Sequence, residues 1–249
     1  MIRSVPERPA VSVVIPAYNE EERIGTTIGA IAAYGAARGL ALEILLADDG
    51  SRDATRDRAA AAAHGRVPLH ILPAPENRGK GDAVRRGMLA ATGALVLFTD
   101  ADLSTPIEAF DAFRRAFEGG AAFIIGSRKL EPELVVQRQP ALRQALGRGF
   151  SALARRLVHP GVTDFTCGFK ACRSEVVPVL FSPLTRRDWS FDAELLCIAR
   201  RRGVPVLELP VPWANRPETR VRLARDVVRS AIGLAAIVAR AARGAYDAG

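Results

Sequence analysis

Cysteine is scarce, and the three present, Cys167, Cys172 and Cys197, are irregularly spaced. That excludes a disulfide framework, and the lack of any Cys-x-x-Cys pair or Cys/His zinc spacing excludes a structural zinc module. The cytosol is the default compartment. Aromatic residues make up only 6% of the chain, and none of the usual RNA or DNA motifs occurs, so nucleic acid is not an expected partner. No apolar run reaches the roughly 18 residues of a membrane-spanning helix. The segment Met1–Ala10 is polar, carries two prolines and lacks an apolar stretch, so neither a signal peptide nor an N-terminal anchor is expected. The spacings Gly-x-x-x-x-Gly-Lys-Ser/Thr and Gly-x-Gly-x-x-Gly are both missing, which argues against a P-loop nucleotidase and a dinucleotide dehydrogenase.

What is present fits an ordinary globular chain: 249 residues, 49% hydrophobic and 25% charged, enough to bury a substantial core. The formal charge of +8 comes from 35 Lys and Arg, nearly all Arg, the side chain best suited to gripping phosphate through paired donors. Nucleic acid, an anionic membrane surface and a phosphorylated substrate are the three polyanions such a charge would suit.

The first 130 residues alternate short apolar strands with Ala-rich helical segments, the pattern of a parallel sheet with crossover helices. Strands are expected at Val11–Ile15, Leu42–Ala47, Leu69–Leu72, Leu95–Thr99 and Ala121–Gly126. Helices are expected at Glu20–Arg38, Asp53–His64, Lys80–Ala91 and Ile107–Glu118. The strands are uniformly apolar, as suits a sheet covered on both faces. Beyond residue 131 an Arg-rich helix between Pro140 and Val158 precedes a Gly- and aromatic-containing segment, Thr163–Lys170. A helix at Phe191–Arg202, a strand at Val204–Leu209, a loop at Pro210–Arg220 and a last helix from Val221 to about Arg243 complete the chain. No internal repeat or low-complexity linker divides it, so a second independent domain is not expected.

In open parallel sheets ligands sit beyond the carboxyl ends of the strands, and every unusual polar cluster here falls at such an end. Strand one runs into Pro16-Ala17-Tyr18-Asn19-Glu20-Glu21, where Tyr18 could stack on a base or sugar and a carboxylate could bind a hydroxyl. The structural alternative is a cap at Asn19 with glutamates complementing the helix dipole. Strand two runs into Asp48-Asp49-Gly50-Ser51, suited to a ribose or a pyrimidine N–H, or else an Asp-Gly turn with Ser51 or Asp53 as helix cap. Strand three leads to Glu76-Asn77-Arg78-Gly79-Lys80-Gly81, a Gly-rich loop with two cations opening a helix, which suits phosphate. Strand four ends in Asp100-Ala101-Asp102, two carboxylates that can converge on one hard divalent cation completed by substrate phosphate. Strand five ends in Gly126-Ser127-Arg128, an arginine for phosphate. Together these favour a metal-dependent nucleotide-sugar site.

Val13-Val14-Ile15-Pro16-Ala17-Tyr18-Asn19-Glu20, Asp48-Asp49-Gly50-Ser51, Asn77-Arg78-Gly79-Lys80-Gly81, Asp100-Ala101-Asp102 and Gly126-Ser127-Arg128 resemble, in order and spacing, the signatures of family-two glycosyltransferases of the GT-A fold. Asp164-Phe165-Thr166-Cys167-Gly168-Phe169-Lys170, Trp189-Ser190-Phe191-Asp192-Ala193-Glu194-Leu195 and Val211-Pro212-Trp213 extend the resemblance to the dolichyl- and polyprenyl-phosphate sugar transferases, most closely the β-glucosyl branch. The resemblance implies a GT-A α/β domain over residues 1–220, with a nucleotide-sugar half (1–130) and an acceptor half (131–220). Residues 221–249 would form a basic amphipathic helix and tail. It further implies that Pro16, Ala17, Tyr18, Glu20, Ala47, Asp48, Asp49, Lys80, Asp100, Ala101 and Asp102 hold the nucleotide sugar. Asp102, with Asp100, would hold Mg²⁺ or Mn²⁺, and Arg128, Arg138, Arg143 and Arg220 would meet diphosphate or an acceptor phosphate. Ser104 stands where mannosyl relatives usually have Gln.

The implied activity is inverting transfer of glucose from UDP-glucose to dolichyl or polyprenyl phosphate. A lipid phosphate is already anionic and needs no strong base. A soluble hydroxyl acceptor would need one, and Asp192 is then the candidate, with Glu194 second. The expected catalytic set is Asp102, Asp192 and Arg128. In the last helix Val227, Val228, Ile232, Leu234, Ala235, Ile237 and Val238 sit among Arg222, Arg225, Arg229, Arg240 and Arg243. Such a helix either lies in a membrane interface, placing the enzyme peripherally on the cytoplasmic face, or packs on the catalytic core. A non-catalytic nucleotide-sugar or nucleic-acid binding protein is the alternative from another class.

Overall fold

A computed structural model of the chain describes residues 8–137, 149, 151–214 and 223–247. Its centre is a seven-stranded sheet. Strands β1 (Val11–Ala17), β2 (Leu42–Asp48), β3 (Leu69–Ile71) and β4 (Leu95–Thr99) are parallel in the order β3-β2-β1-β4. Strand β5 (Phe123–Ser127) does not pair with β4. Between them runs β7 (Phe169–Arg173), antiparallel to both, and β8 (Val206–Pro210) closes the edge parallel to β5. A separate two-stranded ribbon pairs β6 (Val135–Gln137) with β9 (Trp213–Ala214). The sheet is thus mostly parallel with one reversed strand, the GT-A arrangement.

The uniformly apolar strands sit between two hydrophobic layers. Along β1, Val11, Val13 and Ile15 enter one layer while Val14 enters the other, as the two-residue period of a strand requires. One layer is roofed by α1 (Ile24–Ala37) and α4 (Phe110–Glu118). Ile24, Ile28, Ile31 and Tyr34 of α1 recur at helical spacing and are buried, as are Phe110, Phe113 and Phe117 of α4. The opposite layer is built by α3 (Lys80–Ala90), α5 (Val177–Phe181), α6 (Phe191–Arg201) and part of α7 (Leu223–Ala242). Helix α2 (Thr55–Ala63) is opened by the Asp53 carboxylate, which accepts Thr55 N–H at 3.0 Å. Gly87 lets α3 lie against β1, since a Cβ there would stand 2.3 Å from Val14 Cγ1.

Several expectations are corrected. The end of the Thr163–Lys170 segment enters the sheet as β7, because Phe169, Ala171 and Cys172 are apolar enough to fill the gap between β4 and β5. Helix α1 starts at Ile24, four residues late, and Asn19 is not its cap. Asn19 sits at a φ of 55°, and its side chain accepts Arg52 N–H at 2.9 Å. The expected loop at Pro210–Arg220 contains β9. In α7, Leu234, Ile237 and Ala241 are buried in the core, whereas Ile232 is 63% exposed. The side chains of Val227 and Val228 lie outside the described residues. So does most of the expected helix at Pro140–Val158; residues 151–157 are helical.

The reversed strand packs against α4 within one layer, where Phe169 meets Phe113 edge to face at 5.2 Å between centroids. Phe169→Ala should cost about 3–5 kcal/mol, read from urea unfolding midpoints. A cost below about 1 kcal/mol would show that β7 contributes little to the core.

Candidate active site

Because the parallel strands share a direction, their carboxyl ends line one edge of the sheet. β7 starts at that same edge, with Phe169 opposite Thr99. The register sets Pro16 beside Ala47 and Ala17 beside Asp48. These four expected donor-site residues therefore lie together, with Tyr18 36% exposed beyond them. The turn after β1 is clasped to the turn after β2: Asn19 N–H donates to Ser51 Oγ at 2.9 Å, Glu20 N–H to Thr55 Oγ1 at 2.7 Å, and Ala54 N–H to Glu21 Oε2 at 2.9 Å. Glu20 itself pairs with Arg23 at 2.8 Å.

Asp48 and Asp49 diverge. Asp48 is buried and accepts Ser51 N–H at 3.2 Å through Oδ1, with Arg56 3.7 Å from Oδ2. Asp49 accepts the N–H groups of Arg78 and Gly79, both at 2.8 Å, and so holds the glycine loop after β3. Burial raises the Asp49 pKa against these donors.

The loop after β4 is fixed from α1, where Thr27 Oγ1 donates to Ala101 O at 2.6 Å. Asp100 meets the Lys80 ammonium at 2.5 Å. Asp102 accepts Ser104 N–H at 2.9 Å and lines a groove of about 490 Å³ beside Glu22, Arg23 and Thr26 of the α1 side. Gly168, just before β7, makes room for Asp100, since a Cβ there would stand 2.1 Å from Asp100 Oδ2. Burial works against the Lys80 charge, but Asp100, Asp192 and Asp102 outweigh it and raise its pKa. The Lys80 ammonium also lies 4.8 Å from the centre of the Trp189 ring.

After β5, Arg128 forms a two-pronged ion pair with the fully buried Asp164, at 2.7 and 2.8 Å, and its backbone N–H donates to the same carboxylate at 3.1 Å. The guanidinium lies 5.4 Å from the centre of the Trp213 ring. Burial opposes both charges, but each partner outweighs it: the Arg128 pKa is raised and the Asp164 carboxyl is held well below the usual range. Arg128 keeps a fifth of its side chain exposed, and the charge of Asp100 adds to that of Asp164 in raising its pKa.

Asp192 and Glu194, the expected bases, are both committed. Asp192 Oδ1 accepts from the Lys170 ammonium at 2.6 Å, and Lys170, 0% exposed, spends its other donors on Cys167 O at 2.6 Å and Phe165 O at 3.2 Å. Burial raises the Asp192 pKa, while Lys170 and Lys80 oppose it. Glu194 lies away from the site edge, bound to Thr185, Arg186 and Tyr246. Arg138, Arg143 and Arg220 lie outside the described residues.

A hard divalent cation fits the donor set. Asp100 and Asp102 offer oxygen only, and among the described residues no group of three His, Cys, Asp or Glu side chains forms a complete metal shell. The remaining positions would fall to water and substrate oxygens, as is usual for Mg²⁺.

Asp164 also fixes a pH dependence. Its depressed pKa means the stabilisation is complete above about pH 4 and is lost as pH falls through the folded-state value. Asp164→Asn, which leaves Arg128 without its partner, should cost roughly 3–5 kcal/mol at neutral pH. The gap to the unmodified protein should narrow progressively as pH falls below about 4. Urea unfolding across that range tests this, and a gap independent of pH would rule out the depressed carboxyl.

Comparison with known proteins follows the same outline. The family model described as "Glycosyl transferase family 2" matches residues 12–181. The chain is 33% identical over 243 residues to a dolichyl-phosphate beta-glucosyltransferase of Trichomonas vaginalis, covering 93% of this chain and 72% of that protein. It is 33% identical over 219 residues to the dolichyl-phosphate beta-glucosyltransferase of Homo sapiens, covering 82% and 67%. Among solved structures, glucosyl-3-phosphoglycerate synthase from Mycobacterium tuberculosis with Mn²⁺, UDP-glucose and phosphoglyceric acid aligns with a TM-score of 0.68 at 22% identity, covering 93% of this chain and 80% of that one. Mannosyl-3-phosphoglycerate synthase from Rubrobacter xylanophilus aligns at 0.70, with 22% identity and coverage of 95% and 74%.

Proposed function

This chain belongs to glycosyl transferase family 2, and from that premise we propose that it transfers glucose from UDP-glucose to a dolichyl or polyprenyl phosphate with inversion at the anomeric carbon. The observation that carries the reading is the charge pattern on the site floor. Lys80 pairs with Asp100 and Arg128 with Asp164, while the carboxylate best placed to act as a base, Asp192, is bound by a fully buried Lys170. Cations for phosphate beside a committed carboxylate suit a diphosphate donor and an acceptor that arrives already ionised. If Asp192 took up a proton, the Lys170 ammonium would lose its counter-charge while buried from solvent, which is expensive.

In this reading Pro16, Ala17, Tyr18, Glu20, Ala47, Asp48 and Asp49 surround the nucleoside, and Lys80 and Asp100 meet the diphosphate. Asp102, with Asp100, would hold Mg²⁺ or Mn²⁺, which when bound adds positive charge against the departing diphosphate. A phosphate oxygen of the acceptor bonds to the anomeric carbon as the bond to UDP breaks on the opposite side. Lys80 and Arg128 stabilise the charge gathering on the leaving group and relieve repulsion between the two phosphates. Arg138, Arg143 and Arg220 complete the acceptor side. Residues 1–130 then serve the donor and 131–220 the acceptor.

No helix among the described residues is long and apolar enough to cross a membrane. The enzyme would meet its lipid peripherally, at the cytoplasmic face. Helix α7 contributes the exposed Ile232 to that contact, its Leu234 and Ile237 being spent on the core. A soluble hydroxyl acceptor is the second reading, favoured by the raised pKa of Asp192.

A panel of nucleotide sugars with Mg²⁺ or Mn²⁺, with and without polyprenyl phosphate, separates the two. Nucleotide release from UDP-glucose should depend on the lipid phosphate; equal release with sugar alcohols alone would overturn the lipid acceptor. Asp102→Asn should lower the lipid-dependent rate on the order of 100-fold, and an unchanged rate at saturating metal would remove Asp102 from the metal site.

A further inference from the structure

Behind the Lys80 loop lies a buried network that the transfer itself does not use. Glu194, 0% exposed, accepts four hydrogen bonds: from Thr185 N–H at 2.8 Å, Thr185 Oγ1 at 2.7 Å, Arg186 N–H at 2.6 Å and the Tyr246 hydroxyl at 2.7 Å. Tyr246, also 0% exposed, follows α7 and is anchored in turn by Arg202, whose Nε donates to Tyr246 O at 2.8 Å. Glu194 thus ties the segment 185–186 to the residues after the last helix.

That segment leans on the glycine loop. Gly81 N–H donates to Arg187 O at 2.8 Å. A Cβ at Gly79 or Gly81 would stand 2.4 Å from Arg187 O or Arg186 O, so only glycine permits the approach. Farther along, Trp189 lies over the Lys80 ammonium. Helix α7 also presses on the segment directly, where a Cβ at Gly233 would stand 2.4 Å from Ser190 Oγ. Lys80 is therefore braced from below by a segment whose own position is set by Glu194, Tyr246 and α7.

We infer that Tyr246, acting through Glu194, is a positioning residue for the donor: it fixes the 185–190 segment and thereby the place where the Lys80 ammonium meets the diphosphate. This rests on the donor assignment proposed above. The Tyr246 phenol donates to a carboxylate oxygen, and a buried network with every member satisfied is rigid. Removing one hydroxyl loosens the brace without emptying the core.

The test is UDP binding by calorimetry in the presence of Mn²⁺, using the full chain. Tyr246→Phe should weaken UDP binding about three- to tenfold, and Glu194→Gln should do likewise. Tyr34→Phe serves as the comparison, because it removes a similar hydroxyl bond, to Asp111 at 2.8 Å, on the other side of the sheet. It should lower thermal stability and leave UDP affinity unchanged. In a Lys80→Met background, Tyr246→Phe should add no further loss, since the group being positioned is gone. Equal UDP affinity in Tyr246→Phe and the unmodified protein, or the same loss with and without Lys80, would overturn the positioning role. Failure of the unmodified protein to bind UDP would instead overturn the donor assignment, and this inference with it.

Discussion

The antiparallel strand β7 is the constraint on which the site depends. Six strands point their carboxyl ends at one edge, and the single strand running the other way begins there. Its approach delivers Asp164 and Gly168 to residues that follow the parallel strands, and Lys170 to a carboxylate on α6. Asp164 holds Arg128, Gly168 accommodates Asp100, and Lys170 holds Asp192. Each contact joins residues far apart in sequence. None would form if β5 paired directly with β4.

The charges assembled in this way are buried or half-buried, so each needs a partner to offset lost hydration. Along the floor they alternate: Asp100, Lys80, Asp192, Lys170, with Lys80 feeling both carboxylates. Such an array holds cations in place without a ligand present. Pre-set positive charge of this kind is what a departing diphosphate meets without further rearrangement.

Much of this was legible in the sequence because it is local. Uniform apolar runs marked the parallel strands, and the polar clusters after them marked the edge. Asp53 reads as a helix cap; it stands one residue before the cap position, Ala54, and accepts Thr55 N–H. What was not legible depends on long-range pairing. Phe169-Lys170-Ala171-Cys172-Arg173 is short and mixed in polarity, and its place between β4 and β5 is decided by the gap those strands leave. Nothing near Lys170 indicates that it is buried, since its counter-ion lies on α6. Glu194 stands as the second candidate base after Asp192, although two residues apart on a helix they point in roughly opposite directions. Helical geometry turns it away, toward Tyr246. The apolar stripe of α7 suits a membrane and a protein core equally well by composition, and the neighbouring layer decides in favour of the core at Leu234 and Ile237.

The placement of β7 also bears on the order in which the chain can fold. Strand β5 has no sheet neighbour among the strands that precede it; both of its partners, β7 and β8, come later in the chain. Until they arrive, β4 and β5 each carry an open row of unpaired backbone groups, and closing the gap joins segments widely separated in sequence. Contacts of that range form slowly. The donor-side strands must therefore wait, edges exposed, for a later segment to complete them, and that interval is when the chain is most open to wrong pairing.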